Sequence, residues 1–332
     1  MILKKPYLLF LGDARDPLAA KVAQGVAHWI PEDTVGQVRL ENCKADCGLE
    51  EITIEEGVAR GAKTMIVGVA TFGGGLSEMW FDSITQALSG GMDVACGLHD
   101  RLNDVAVLRD HAAQVGQKLI DVRIPPENLV IGTGAPRTGQ RILTIGTDCS
   151  VGKMYTSLAL TRELHARKIP ATFCATGQTG IFIQGRGVAL DAVPADFIAG
   201  SIEDLVPATD DNHWSLIEGQ GSLFHPAFAG VSLGLLHGAQ AQHLIMCHAP
   251  RAHMRSLPDV PLPDILECIA LNEQCARRTC PEATVKGIAC DTHTLSEDEA
   301  KTLLDELADR AGLPAVDPVR TGVTPLIDAV LA

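Results

Sequence analysis

ILTIGTDCSVGKM, Ile142 to Met154, is an apolar run that breaks into a loop bounded by Gly146 and Gly152 and closes on Lys153. The run has strand character, and the apolar spacing after it predicts a helix over Gly152–Arg167. A glycine-bounded loop between a strand and a helix, ending in lysine, is the setting a phosphate-binding loop requires. Successive main-chain N–H groups and the positive helix end converge there on an anion, and Lys153 adds a full charge. Glycine at 146 and 152 allows close approach of the backbone. The anion is therefore expected against Gly146, Thr147, Cys149, Ser150, Val151, Gly152, Lys153 and Met154. Such loops normally place Ser or Thr after the lysine to hold magnesium; Met154 removes that ligand, so phosphate binding is expected and nucleotide hydrolysis is not.

Outward from this stretch, apolar strand candidates alternate with helix-length segments. Tyr7–Leu11, Gln37–Leu40, Thr64–Val69, Asp93–Leu98 and Lys118–Val122 form a first series, with helical spacing at Leu18–Trp29 and Met79–Leu88. Ile142–Ile145, Ala171–Ala175, Ser215–Glu218, His243–Cys247 and Val285–Cys290 form a second, with helices at Leu262–Cys275 and at Glu297–Ala311, the latter behind a Ser296–Glu299 capping box. This rhythm predicts parallel sheets covered by helices, an α/β fold of two doubly wound domains. The turn-rich GTGAPRTGQR, Gly132 to Arg141, is the boundary candidate, giving domains 1–136 and 137–332.

The chain of 332 residues is long enough for two cores. A net charge of -14 and a sequence pI near 5.2 argue against nucleic-acid partners and anionic membranes. No apolar run reaches membrane-spanning length and no signal peptide is visible, so the cytoplasm is the expected compartment. The 10 cysteines are scattered, and Cys96, Cys247 and Cys290 sit in apolar contexts, so they read as reduced core residues. The spacings Cys43–Cys47 and Cys275–Cys280 are too loose and isolated for a metal site, and no metal is expected.

Further segments carry chemistry at strand ends. In IEGQGSLFHP, Glu218 stands where a carboxylate faces the ligand crevice and can serve as general base, with His225 nearby. In CATGQTGIFIQGRG, Gln178 and Thr179 offer neutral hydrogen bonds and Arg186 a fork for a carboxylate or phosphate. Asp191 and Asp196 beyond it serve either the site or the cap of a helix starting near Ser201. MCHAPRAHMR gathers His248, Arg251, His253 and Arg255, a cationic loop suited to an anionic ligand. Gly73–Gly75 and the Gly12–Pro17 loop either line a cleft or form turns.

The loop resembles the GTDxxVGKT loop of the dethiobiotin synthetase and cobyrinic acid amide synthase group, where the residue after lysine binds magnesium. Together with GDARDPLAAKVAQGV, VGVATFGGG, TGQTG…GRGV…DAVPADFIAG and IEGQGSLFHP, it is similar to one two-domain family across almost the whole chain. That family, long a domain of unknown function, is now associated with D-glutamate N-acetyltransferase activity. The resemblance implies a Rossmann-like N-terminal domain, a P-loop NTPase-like C-terminal domain, and acetyl transfer from acetyl-CoA to D-glutamate. Within the family the residue after lysine need not be Ser or Thr. The phosphates of CoA need cradling but no displacement, so magnesium is dispensable. On this reading Glu218 is the expected base with Asp148 second, and Arg186 and Arg251 are expected at the glutamate carboxylates. Cys149 is an alternative acetyl-accepting nucleophile, direct transfer being the simpler route. A symmetric homo-oligomer is expected. An ATP-dependent ligase or kinase and a non-catalytic nucleotide-binding protein are the rival readings.

Overall fold

Strands buried on both faces must be apolar throughout, which is why the continuous runs of this sequence become the centres of two parallel sheets. The computed structural model describes residues 2–70 and 75–332. The chain forms two units, Met1–Ile124 with Gly177–Ala192, and Pro125–Thr176 with Val193–Ala332. The expected cut between 136 and 137 did not include this return of 177–192 to the first unit.

In the first unit β1 (Tyr7–Phe10), α1 (Lys21–Trp29), β2 (Thr34–Val38), α2 (Ile54–Ala59), β3 (Thr64–Val67), α3 (Phe81–Ser89), β4 (Asp93–Cys96), α4 (Ala106–Val115) and β5 (Leu119–Asp121) follow in turn. The sheet is parallel, in the order β2-β1-β3-β4-β5. Every side chain of β1 is fully buried. The second strand lies earlier than the Gln37–Leu40 expected, because buried Gln37 interrupts the apolar pattern. Its amide donates to Asp46 and to the Leu49 carbonyl and accepts from the Cys47 N–H, so the polar residue is satisfied inside the sheet. In the Gly12–Pro17 loop, Asp13 accepts the Trp80 indole N–H at 2.9 Å. Gly73 and Gly74 lie outside the described residues.

The second unit contains β6 (Gln140–Gly146), α5 (Lys153–Ala166) and β7 (Ala171–Cys174), after which α6 (Gln178–Gln184) packs in the first unit. There the Gly185 carbonyl accepts the Leu3 N–H at 3.0 Å and the Ile183 carbonyl accepts from Lys5. The second unit continues with α7 (Ile198–Leu205), β8 (Trp214–Ile217), α8 (Ala229–Ala239), β9 (His243–His248), α9 (Ile265–Ala276), β10 (Thr284–Cys290), α10 (Glu297–Ala311), β11 (Ala315–Val316) and α11 (Thr324–Leu331). Its sheet is again parallel, ordered β11-β10-β9-β6-β8-β7. The Ser296–Glu299 capping box is formed in both directions. Helix α7 starts ahead of Ser201 and has no side-chain cap, so Asp196 does not cap it; Asp191 instead pairs with Arg123 in the first unit. All 10 cysteines are free, and Cys96, Cys247 and Cys290 are core residues. Among the described residues no helix is long and apolar enough to cross a membrane.

Arg141, buried at the start of β6, anchors the strand that ends in the glycine loop. Its guanidinium donates to the main-chain carbonyls of Gln240, Thr138, Gly139 and Arg137 at 3.0–3.1 Å. Among the described residues no carboxylate forms an ion pair with it; a planar fork of donors meets four main-chain acceptors, of which Thr138 and Gly139 also accept from the Thr209 N–H and the Gln242 amide. Arg141→Ala is expected to lower the free energy of unfolding by about 3 kcal/mol and Arg141→Lys to recover less than half of that, because an ammonium cannot span the same carbonyls. Urea denaturation of both variants checks this; an alanine variant within about 0.5 kcal/mol of wild type would refute it.

Candidate active site

All strands of the second sheet point their carboxyl ends to one edge. From β6 the chain passes to β7 on one side, and β9 later takes the place on β6's other flank. Ligands of open α/β sheets bind at such a reversal of strand order. The loop Gly146–Lys153 fills it and runs into α5, a helix of 14 residues whose dipole is positive at this end. Gly152, the residue before α5, has φ +87°, a conformation that only glycine adopts without strain.

The shape of this loop depends on Asp148, whose side chain is fully buried. One carboxylate oxygen accepts the Cys149 N–H at 2.6 Å; the other accepts the Arg255 N–H at 2.6 Å and the Arg251 guanidinium at 3.2 Å. Arg251 also donates to the carbonyls of Cys149 and Ser150. The cationic segment after β9 thus wraps the loop from outside, and its first arginine is engaged in holding it. Among the described residues the Arg255 guanidinium makes no hydrogen bond, which leaves it as the cation able to meet an incoming anion.

Lys153 lies across the loop, its ammonium donating to the Asp148 carbonyl at 2.7 Å. Burial pushes this ammonium down from its usual range, opposed by the neighbouring Cys247, Cys149, Asp148 and Glu218. Glu218, just past β8, is buried and accepts the Thr176 N–H at 2.9 Å, while its own carbonyl accepts the Thr176 hydroxyl. Gly219 follows because nothing larger fits: a Cβ there would stand 1.7 Å from the Thr144 carbonyl oxygen. Ser222 donates to the Thr147 carbonyl, binding the β8 loop to the glycine loop.

Asp148, Cys149 and His225 bring potential ligand atoms within 4.8 Å of one another. Protein groups already occupy both Asp148 oxygens and both His225 nitrogens: Nε2 faces the Arg255 carbonyl and Nδ1 accepts the Ala227 N–H. These hydrogen bonds tie the loop to the segments around it. Burial pushes the Cys149 thiol up, opposed by Lys153, Arg255 and Arg251, so at neutral pH it is a protonated thiol and a weak nucleophile.

The expected residues of the loop, with Asp148, Glu218 and Arg251, therefore come together in the second unit. Gln178, Thr179 and Arg186 belong to the first. Gln178 and Thr179 open α6, where a Cβ on Gly97 would come 3.0 Å from that of Gln178; Arg186 is exposed beyond the helix. Sequence reading missed Thr176, which holds Glu218, and the two carboxylates Asp291 and Asp317, which follow β10 and β11 directly. The rule that singled out Glu218, a carboxylate just after a strand, would have found Asp291; Asp317 follows a strand of two residues that no pattern announces.

The second unit's sequence matches the P-loop domain of the DUF1611 family, a domain of unknown function, over residues 130–327, and residues 34–125 match that family's Rossmann-like N-terminal domain. The chain belongs to the DUF1611 family. Two curated relatives are each called D-glutamate N-acetyltransferase. The one from Tritonibacter scottomollicae is 52% identical over 332 residues, all of both chains, and the one from a Pseudoalteromonas species is 45% identical over 328 residues, 98% of this chain and 99% of the relative. The crystal structure of a DUF1611 family protein from Anabaena variabilis superposes with a TM-score of 0.87 at 33% identity, covering 99% of each chain.

Two histidines bracket β9 in this member of DUF1611. His248, at the loop end, shares a hydrogen bond of 3.1 Å with the Thr147 hydroxyl, and burial plus the nearby Arg251 and Arg310 push its pKa from 6.5 to about 4. His243, stacked on Trp214, is pushed down to about 4 by burial and Lys286. Both are neutral in the folded protein where an unfolded chain would be protonated. Stability is therefore expected to be flat above pH 6.5 and to fall as pH drops from 6.5 towards 4, because the unfolded state gains protons first. Denaturation midpoints across this range check the sign, and a His243→Asn/His248→Asn double variant is expected to flatten the slope; an unchanged slope would contradict the assignment.

Proposed function

We propose that this chain is a D-glutamate N-acetyltransferase that takes its acetyl group from acetyl-CoA. The observation that carries the reading is a preformed phosphate loop with Met154 at the magnesium position, in a chain similar along its whole length to two D-glutamate N-acetyltransferases. A loop that cradles phosphates without a metal hydroxyl suits a cofactor whose phosphates are handles. An ATP-dependent ligase or kinase would need the missing ligand.

Main-chain N–H groups of Ser150 to Met154 and the α5 dipole hold the CoA phosphates, and Lys153 swings from the Asp148 carbonyl onto them. The neutral amine of the acceptor attacks the thioester carbonyl. The tetrahedral intermediate collapses by breaking the carbon–sulfur bond, and the departing thiolate takes up a proton. Glu218 is the base that removes the proton of the attacking amine, held in a dry position by Thr176. It does so on a cofactor whose pantetheine arm turns back over the loop, since an extended arm carries the thioester roughly 15 Å from the phosphates. Arg255 faces a substrate carboxylate, the task expected of Arg251 from sequence. The same reading places a metal-independent, homo-oligomeric enzyme in the cytoplasm, where acetyl-CoA is available.

Purified protein given acetyl-CoA and D-glutamate is expected to release CoA thiol and N-acetyl-D-glutamate in equal amounts, with L-glutamate at least about tenfold slower. No thiol release with D-glutamate or any other amino acid would end the proposal. Lys153→Ala is expected to raise KM for acetyl-CoA about tenfold with little change in kcat. Glu218→Gln is expected to lower kcat at least about 100-fold with KM nearly unchanged; an effect confined to KM would make Glu218 a charge partner of Lys153 and not the base.

A further inference from the structure

Next to the glycine loop the second unit encloses a cavity of about 520 Å³, within the range of sites that take small molecules. Val151 and Gly152 belong to both the loop and the cavity wall, so the two spaces adjoin. Tyr155 and Thr156 of α5 form one side, and the segments following β10 and β11, with Asp291, Asp317 and Val319, form the other.

The far side is held in shape before any ligand arrives. Asp317 accepts the N–H and hydroxyl of Thr292 and the N–H groups of Val319 and Arg320, tying the two segments to each other. The Arg320 guanidinium donates to the carbonyls of Thr292 and Leu295 and so is engaged in the same task. This wall carries Asp291 and Asp317 beside Arg320 and His293; one Asp291 oxygen meets the His293 N–H and ring, and among the described residues the other makes no hydrogen bond. An uncharged flat group with hydrogen-bond donors on its edge would meet an acceptor in Asp291, an aromatic ring in Tyr155 and apolar surface on Val151 and Val319.

We propose that this cavity is the nucleoside subsite of the cosubstrate, with the adenine of acetyl-CoA beside Tyr155 and its amino edge toward Asp291. The pyrophosphate then lies in the adjoining loop, and the pantetheine arm leaves on the side away from the cavity. The inference rests on acetyl-CoA being the donor. It adds that recognition of the adenosine end and transfer of the acetyl group use different parts of the second unit, so a donor without a nucleotide bypasses the first.

Two donors and one nucleotide test it. S-acetyl-N-acetylcysteamine carries the thioester but no adenosine, and adenosine 3′,5′-bisphosphate carries the nucleotide but no thioester. The bisphosphate is expected to compete with acetyl-CoA on the wild-type protein. Val319→Trp, at a position 64% exposed where the ring can fill the cavity without disturbing the core, is expected to weaken calorimetric binding of the bisphosphate about tenfold. It is also expected to lower kcat/KM for acetyl-CoA relative to that for the short donor about tenfold. Asp291→Ala is expected to move both quantities in the same direction. A misfolded variant would lose both donors together and leave their ratio unchanged, and the other variant then decides. Unaltered bisphosphate binding in both variants, or a bisphosphate that does not bind wild type, overturns the subsite. If wild-type protein releases no thiol from acetyl-CoA, the donor reading fails, while the calorimetric comparison still decides whether the cavity takes a nucleoside.

Discussion

A carboxylate with no solvent exposure, Asp148, sits inside the loop whose shape it determines. Removing a charge from water costs several kcal/mol unless opposite charge and hydrogen-bond donors replace the solvent. Here they come from the loop itself, through the Cys149 N–H, and from a segment about 100 residues later, through the Arg255 N–H and the Arg251 guanidinium. Satisfying that one group draws the segment after β9 around the loop and holds the main-chain N–H groups in place before a ligand arrives. Preorganisation of this kind lowers the ordering cost of binding.

Around this centre the carboxyl edge of the second sheet is divided by charge. Lys153, Arg251 and Arg255 gather at the loop between β6 and β9, whereas Asp291 and Asp317 stand beyond β10 and β11. On the proposed reading Met154 fits as well, because a loop that holds phosphates without displacing them needs no magnesium ligand.

Much of the architecture could be read from the sequence because parallel strands buried on both faces must be apolar along their whole length. Tyr7–Phe10 and the run 65–67 of β3 announce themselves in this way, and the Ser296–Glu299 box marks the start of α10 by local chemistry alone. The second strand was displaced because Gln37 is buried and its partners, Asp46, Cys47 and Leu49, lie beyond the strand. The two-residue β11 offers no period to detect. Residues 177–192 look from sequence like one more loop following a strand of the second domain, but α6 packs in the first unit.

The sequence alone determined what is local: a strand, a glycine-bounded loop, a lysine at a helix start, and a carboxylate after the next paired strand. These follow from backbone conformation and from residues close together in the chain, and they suffice to indicate a P-loop. Tertiary structure decided which charges remain available. Arg251 and Arg255 are equivalent in a list of cations, yet the first reaches Asp148 with its guanidinium and the second only with its main-chain N–H. Asp148 and Glu218 are both acidic, yet both oxygens of the first are engaged in shaping the loop. Electrostatic partnership depends on distance and burial across strands far apart in sequence, and residue order carries almost no trace of it.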